Sequence, residues 1–136
     1  MTMESFHVDD VMAVAQFRAA LRQFLRRSER VARQSGLTPQ RHLLLLMIKG
    51  APGGSEQSTV TELSGRLQLA QSTVTELVRR AEEAGLIERE QSATDARVAH
   101  LRLTAEGERR LALSFTELET ERAQLRDAFA HLDDVG

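Results

Sequence analysis

The sequence predicts a mainly α fold with one small β-hairpin, and three observations carry that prediction. Apolar residues recur at alternating three- and four-residue steps over most of the 136 positions. Two short helical stretches, each opening on the string STVTEL (Ser58–Leu63 and Ser72–Leu77), meet at a tight turn around Gln68–Gln71. Beyond Gly85 the period changes to two, with strands expected at Leu86–Arg89 and Val98–Leu103 and a polar connection, Glu90–Arg97, between them. A helix-turn-helix followed by a hairpin with a long tip is a winged helix.

The elements follow in order. Residues 9–34 read as one long helix, with Val14, Phe17, Leu21, Phe24, Ser28 and Val31 as its apolar seam. Arg18, Arg22, Arg26, Arg30 and Arg33 fall on another face, either a solvated stripe or a set of anion contacts. Gly36 ends this helix, and Thr38-Pro39 supplies an N-cap and a first helical residue for the next. That second helix carries the apolar run Leu43–Ile48 and stops at the loop Gly50–Gly54. In the first STVTEL copy, Thr59 and Glu62 have the spacing of a capping box, and Val60, Leu63, Leu67 and Leu69 can face one core. In the second copy Val74, Leu77, Val78 and Ala81 form the inward stripe, and Gly85 terminates the helix. Thr104 caps a last helix expected to run without a break to Leu132. Its seam is Leu111, Phe115, Leu118, Arg122, Leu125, Phe129 and Leu132.

A winged helix of this size cannot cover the seams of both terminal helices. Exposed apolar stripes are costly, at about 25 cal/mol per Å², so a homodimer is expected. The resulting organisation is a helical dimerisation region (residues 9–36 and 104–132) around a winged helix-turn-helix region (residues 37–103).

Composition narrows the function. With 41% apolar and 28% charged residues the chain is expected to fold, and five Phe without Trp or Tyr make its core aliphatic. The absence of Cys excludes disulfides and thiolate metal sites. The longest apolar run is too short to span a bilayer, and MTMESFHVDD lacks the features of a signal peptide, so a cytoplasmic protein is expected. His7, His42, His100 and His131 have no metal-ligand spacing. No phosphate loop or nucleophile motif occurs, so neither catalysis nor a cofactor is expected. Net charge is only −2, but it is polarised: residues 10–50 carry +6 and residues 111–136 carry −4.

Four stretches in this order carry a family resemblance: LTPQRHLLLL, TELSGRLQLAQSTVTELVRRAEEAGLIER, EQSATDARV and LRLTAEGERRL. The region from Leu37 to Leu111 resembles the MarR family of bacterial winged-helix transcriptional regulators. The resemblance implies a homodimer with interlocking terminal helices, holding two winged helices over a pseudo-palindromic operator in double-stranded DNA. It also implies release by a small aromatic or anionic effector. The chain departs from the family pattern at Ala70, where a serine often caps the recognition helix, and at Glu76, where a basic or neutral residue is frequent. It also stops at Gly136 without the family's further C-terminal helix.

In a helix-turn-helix the second helix enters the major groove. With Val74, Leu77 and Val78 inward, Gln71, Ser72, Thr73, Thr75, Glu76, Arg79 and Arg80 remain for DNA. Gln71 suits adenine, Thr73 and Thr75 a thymine methyl, Glu76 cytosine N4, and Ser72 a phosphate. Arg79 and Arg80 can clamp the backbone or pair with Glu76, Glu82 or Glu83. Asp95 and Arg97 match the family's Asp-x-Arg wing element; the carboxylate can hold the guanidinium out toward a minor groove. His42 stands where the family often has an aromatic residue, and Phe17, Phe24, Arg41 and His42 could frame an effector pocket, although a lone His there also suits a core position. The rival reading is a winged helix used as a protein-interaction module, which the slightly acidic balance of residues 58–110 favours.

Overall fold

The computed structural model describes residues 7–133. The acidic N-terminal stretch, up to residue 6, lies outside the described residues. Six helices and a two-stranded antiparallel sheet occur in the order α1 (Val8–Gln34), α2 (Pro39–Lys49), a 3-10 turn (Pro52–Gly54), α3 (Val60–Leu67), α4 (Gln71–Glu83), β1 (Ile87–Gln91), β2 (Ala99–Leu103), α5 (Ala105–Glu117) and α6 (Glu119–Asp133). They form two compact units: Ala32–Leu113 is one, and the described residues up to Val31 with those from Ser114 onward are the other.

In the winged unit each helix start has a chemical cause. Thr38 accepts the Arg41 backbone N–H at 3.1 Å with Pro39 at the first helical position, which sets α2. Arg66 donates to the carbonyls of Met47 (2.7 Å) and Gly50 (3.3 Å), satisfying acceptors that the end of α2 leaves open. The Thr59–Glu62 capping box is present in both directions, at 3.1 and 3.0 Å. Thr59→Ala should therefore cost about 1 kcal/mol, read as a lower urea midpoint at unchanged m-value. An unchanged midpoint would show that the cap does not support α3.

Gln68 takes a left-handed conformation (φ 57°) and turns the chain between α3 and α4. Leu69, expected to face the core, is exposed, because that turn carries it past the last inward position of α3. Ala70 precedes α4 without a side-chain cap. Leu63, Val74, Val78 and Ala81 are fully buried with Leu44, Leu45, Ile48, Leu86 and Leu101, while Leu77 is only half-buried.

The hairpin pairs Ile87 with Leu103 and Gln91 with Ala99. Its strands sit slightly later than the sequence pattern suggests, since Leu86 is a buried connector and β1 extends to Gln91. Ser58 adds a bridge to Leu101, with N–O distances of 3.0 and 2.8 Å, so the segment before α3 is stitched to the sheet. Thr104 closes the unit: its hydroxyl donates to the Gly85 carbonyl (2.6 Å) and accepts the Gly107 N–H (3.1 Å). Lys49 holds Glu56 (2.6 Å) and Glu108 (2.7 Å), joining the end of α2 to α5.

The helical unit corrects the expected seams. Residues 104–132 do not form one helix: the chain breaks at Leu118, between α5 and α6. Arg122 donates to the Phe115 carbonyl and stacks on the Phe115 ring, 3.6 Å from its centroid. Ser114, Leu118 and Ala128 are buried, with Leu125 half-buried, whereas Phe115 and Phe129 are 49% and 58% exposed. On α1 the buried line passes through Ala13 and Val31, with Phe17 and Phe24 half-buried, and Val14 is 49% exposed. The seams are thus shifted by one residue at Val14, Phe115 and Phe129, where the small neighbours Ala13, Ser114 and Ala128 are buried instead. Arg27 and Glu121 approach at 3.4 Å within this seam.

Candidate nucleic-acid interface

Burial of Val74, Val78 and Ala81 dictates which face α4 shows to solvent. Gln71, Ser72, Thr73 and Thr75 are exposed at its N-terminal half, where helix-turn-helix proteins read base edges. The Gln71 amide donates to Thr61 Oγ1 at 3.2 Å, which orients the first of these side chains from α3. Thr61 was not singled out by the sequence, because nothing short of the turn geometry places it beside Gln71.

The second half of the helix is an ion-pair cluster. Glu76 receives Arg79 at 2.5 and 2.9 Å and Arg80 at 3.0 Å, and Arg79 also pairs with Glu83. Arg89 on β1 grips both oxygens of Glu82, at 2.8–3.1 Å, and so braces the hairpin against α4 rather than reaching outward. The hydrogen bonds from Arg79 and Arg80 hold the Glu76 carboxyl at about 2, and those from Arg109 and Arg110 hold Glu106 at about 2. Both values are depressed below the ordinary 4.5. The stabilisation these pairs give is present above about pH 4.5 and is lost as pH falls toward 2. Both carboxylates are solvent-facing, so the contribution is modest.

This clamp sets what the two arginines can do. Arg79 and Arg80 can reach phosphate only by loosening Glu76. Glu76→Gln should strengthen binding to arbitrary duplex DNA and steepen its salt dependence by about one to two log units per log unit of salt, since each phosphate contact adds about 0.9. A titration on non-operator duplex at two salt concentrations reads this; an unchanged slope would show that neither arginine is released.

The wing tip is built as a turn. Asp95 Oδ1 accepts from the Arg97 backbone N–H at 3.0 Å and from its Nε at 3.3 Å. Ser92 and Val98 close the turn through Ser92 N–H to Val98 O at 2.9 Å. The Arg97 side chain is 91% exposed, so its guanidinium projects from the tip while Asp95 fixes its base. A cleft of about 370 Å³ runs between the start of α3 and the wing, lined by Thr59, Thr61, Arg89, Arg97 and Val98.

The four residues singled out for an effector pocket divide between the units. Phe17 and Phe24 line a groove of about 430 Å³ in the helical unit with Arg122, Leu125, Arg126 and Phe129, where the Phe17 and Phe129 rings meet edge to face at 6.0 Å. Arg41 and His42 belong to α2. His42 is buried, and burial lowers its pKa from the ordinary 6.5. No group of metal-ligating side chains occurs among the described residues.

With this geometry in place, relatives can be compared. A MarR family profile matches residues 35–98, which contain the second helix, the helix-turn-helix and the wing tip. Residues 35–98 are thus similar to the MarR family. Proteins of that family are transcription regulators rather than enzymes. The chain is 40% identical over 77 residues to an uncharacterized HTH-type transcriptional regulator, YsmB, of Bacillus subtilis (strain 168). That match covers 56% of the chain and spans half the length of the relative. Among solved structures, the MarR family transcription regulator SP03579 aligns with a TM-score of 0.68 at 25% identity, over 86% of this chain and 75% of its own. A mutant MarR from E. coli, complexed with operator DNA, has the same fold at 18% identity, with a TM-score of 0.69 over 87% and 86% of the two chains. No helix among the described residues is long and apolar enough to cross a membrane.

Proposed function

We propose that this protein is a sequence-specific DNA-binding transcriptional regulator that acts as a homodimer on a pseudo-palindromic operator. The observation that carries the reading is the pairing of an exposed polar face on α4, from Gln71 to Thr75, with Arg97 projecting from a wing tip that Asp95 fixes. Gln71, Thr73 and Thr75 read base edges, Ser72 meets a phosphate at the helix start, and Arg97 enters a minor groove. Glu76 accepts from cytosine N4 when Arg79 and Arg80 turn to the backbone.

Dimer formation is supported by the helical unit, which leaves Val11, Met12, Val14, Phe115 and Phe129 exposed. So much exposed apolar surface on one small unit marks an interaction site, and a second copy covers it. The groove of Phe17, Phe24 and Phe129 with Arg122 and Arg126 suits a small aromatic anion: rings for its apolar body and guanidiniums for its charge. Arg41 and His42 remain candidates for the same effector response. A cytoplasmic location fits a DNA partner.

A second reading, a winged helix that binds protein and not DNA, is favoured by the Glu76–Arg79–Arg80 clamp, which neutralises cations that DNA would need. Selection of bound sequences from a random duplex pool separates the two. An enriched inverted repeat supports the regulator, and no enrichment sinks it. Sedimentation mass tests the dimer, and loss of operator binding on adding benzoate tests the effector.

A further inference from the structure

The arginines of α1 differ from most cations of this chain. Elsewhere guanidiniums are largely matched: Arg79, Arg80, Arg89, Arg97, Arg102, Arg109 and Arg110 each hold a carboxylate. Arg18, Arg22, Arg26 and Arg30 pair with no carboxylate among the described residues, and Glu29, the sole acid of α1 beyond its first turn, pairs with none of them. The array is regular. Four-residue steps place successive arginines about 6 Å apart along the axis, over about 18 Å in all. At about 100° per residue the stripe lies on the side of α1 away from Ala13, Phe24 and Val31, the residues that face the rest of the helical unit. One edge opens into a shallow groove of about 430 Å³, lined by Arg22, Arg26, Arg27 and Arg30, with Glu121 in its wall and no large apolar side chain.

We propose that this face is a second DNA-binding surface, one that holds the phosphate backbone of duplex DNA without regard to sequence. Three considerations select that occupant. Arginine presents a planar fork that matches phosphate, and every cation of the stripe is arginine. A row of evenly spaced charges fits a polymer whose charges are themselves evenly spaced. Finally, a protein held on an operator is surrounded by duplex phosphate at high local concentration; this last step rests on the regulator reading above. A molecule engaged through its wings can thereby also hold flanking or separate duplex through α1.

The test uses the full chain and the variant R18Q/R22Q/R26Q/R30Q, in which glutamine keeps the helix propensity and removes the charge. Its melting curve and sedimentation mass should match wild type. Protein saturated with labelled operator is passed over beads bearing an unrelated duplex at low salt. Wild type should retain the label and the variant should lose it, while the operator affinity of the variant stays within about twofold. Its binding to arbitrary duplex should lose up to about 3.6 units of salt slope, at about 0.9 per phosphate. Arg97→Ala should do the reverse, weakening operator binding while sparing bead capture by the arginine stripe. Equal capture by wild type and variant overturns the proposal, as does displacement by poly-glutamate at the same charge concentration as duplex, which would identify an acidic protein as the occupant. Should no operator be found, stripe-dependent retention of the free protein on the duplex beads still supports this surface, and its absence removes it.

Discussion

Replacing Gly107 with alanine should destabilise the protein by about 2 kcal/mol, although alanine is the best helix former and glycine among the worst. A Cβ at Gly107 would overlap the Leu86 carbonyl oxygen, and it would lie 3.1 Å from the carbonyl carbon and 3.3 Å from the Leu103 side chain. The atoms in the way are backbone, held on one side by Thr104 N–H to Leu86 O at 3.0 Å and on the other by Leu86 N–H to Ala81 O at 3.0 Å. They cannot move aside as a flexible side chain would. The helix-propensity gain of about 1 kcal/mol is thereby outweighed. Gly65→Ala in α3 is the control: nothing lies within 4 Å of its would-be Cβ, so that change should stabilise by about 0.5–1 kcal/mol. Urea titrations of the two variants should move in opposite directions. Two shifts of the same sign would contradict the close approach at Leu86.

Arg97→Ala should weaken operator binding by about 10- to 100-fold, the loss of one or two charge-assisted hydrogen bonds worth about 1.5–3 kcal/mol. Its side chain is 91% exposed and makes its one ion pair with Asp95 two residues away, so the fold should not depend on it. The salt slope should fall by about one. Asp95→Ala should cost less, because it loosens the turn without removing the cation; Asp95→Asn, which keeps the acceptor for the Arg97 N–H, should recover part of that loss. Operator titrations at matched salt check all three. An Arg97→Ala protein with wild-type affinity would remove the wing from the interface.

Much of this was legible in the sequence because the signals are local. The Thr59–Glu62 box, Thr38-Pro39, Gly85 and the Asp95–Arg97 pair each act over two to four residues, so spacing alone identifies them. The inward residues of α4 were equally legible, since the period of the helix leaves few choices once Val74 and Val78 are assigned. Other features depend on what comes near in space. Glu76 has the same neighbours in sequence as Glu62, yet one is clamped by two arginines and the other caps a helix. The terminal seams hold at Phe17, Leu21, Phe24, Val31, Leu111, Leu118 and Leu125 and slip by one residue at Val14, Phe115 and Phe129, because a helical wheel ranks residues by apolarity. The small Ala13, Ser114 and Ala128 are buried there, and their larger neighbours are left outside.

The residues by themselves determined the succession of helices and strands, their caps and stops, the polar face of α4 and the charge polarity of the chain, since propensity, capping and periodicity are properties of short segments. Tertiary structure alone decided the break at Leu118, where neither proline nor glycine occurs. It also decided the bracing of Gln71 by Thr61, the close approach at Gly107, and which arginines hold a carboxylate among the described residues. Each of these turns on a distance of a few ångström between groups far apart in the chain, or on which face of a helix meets another, and no sequence period encodes that.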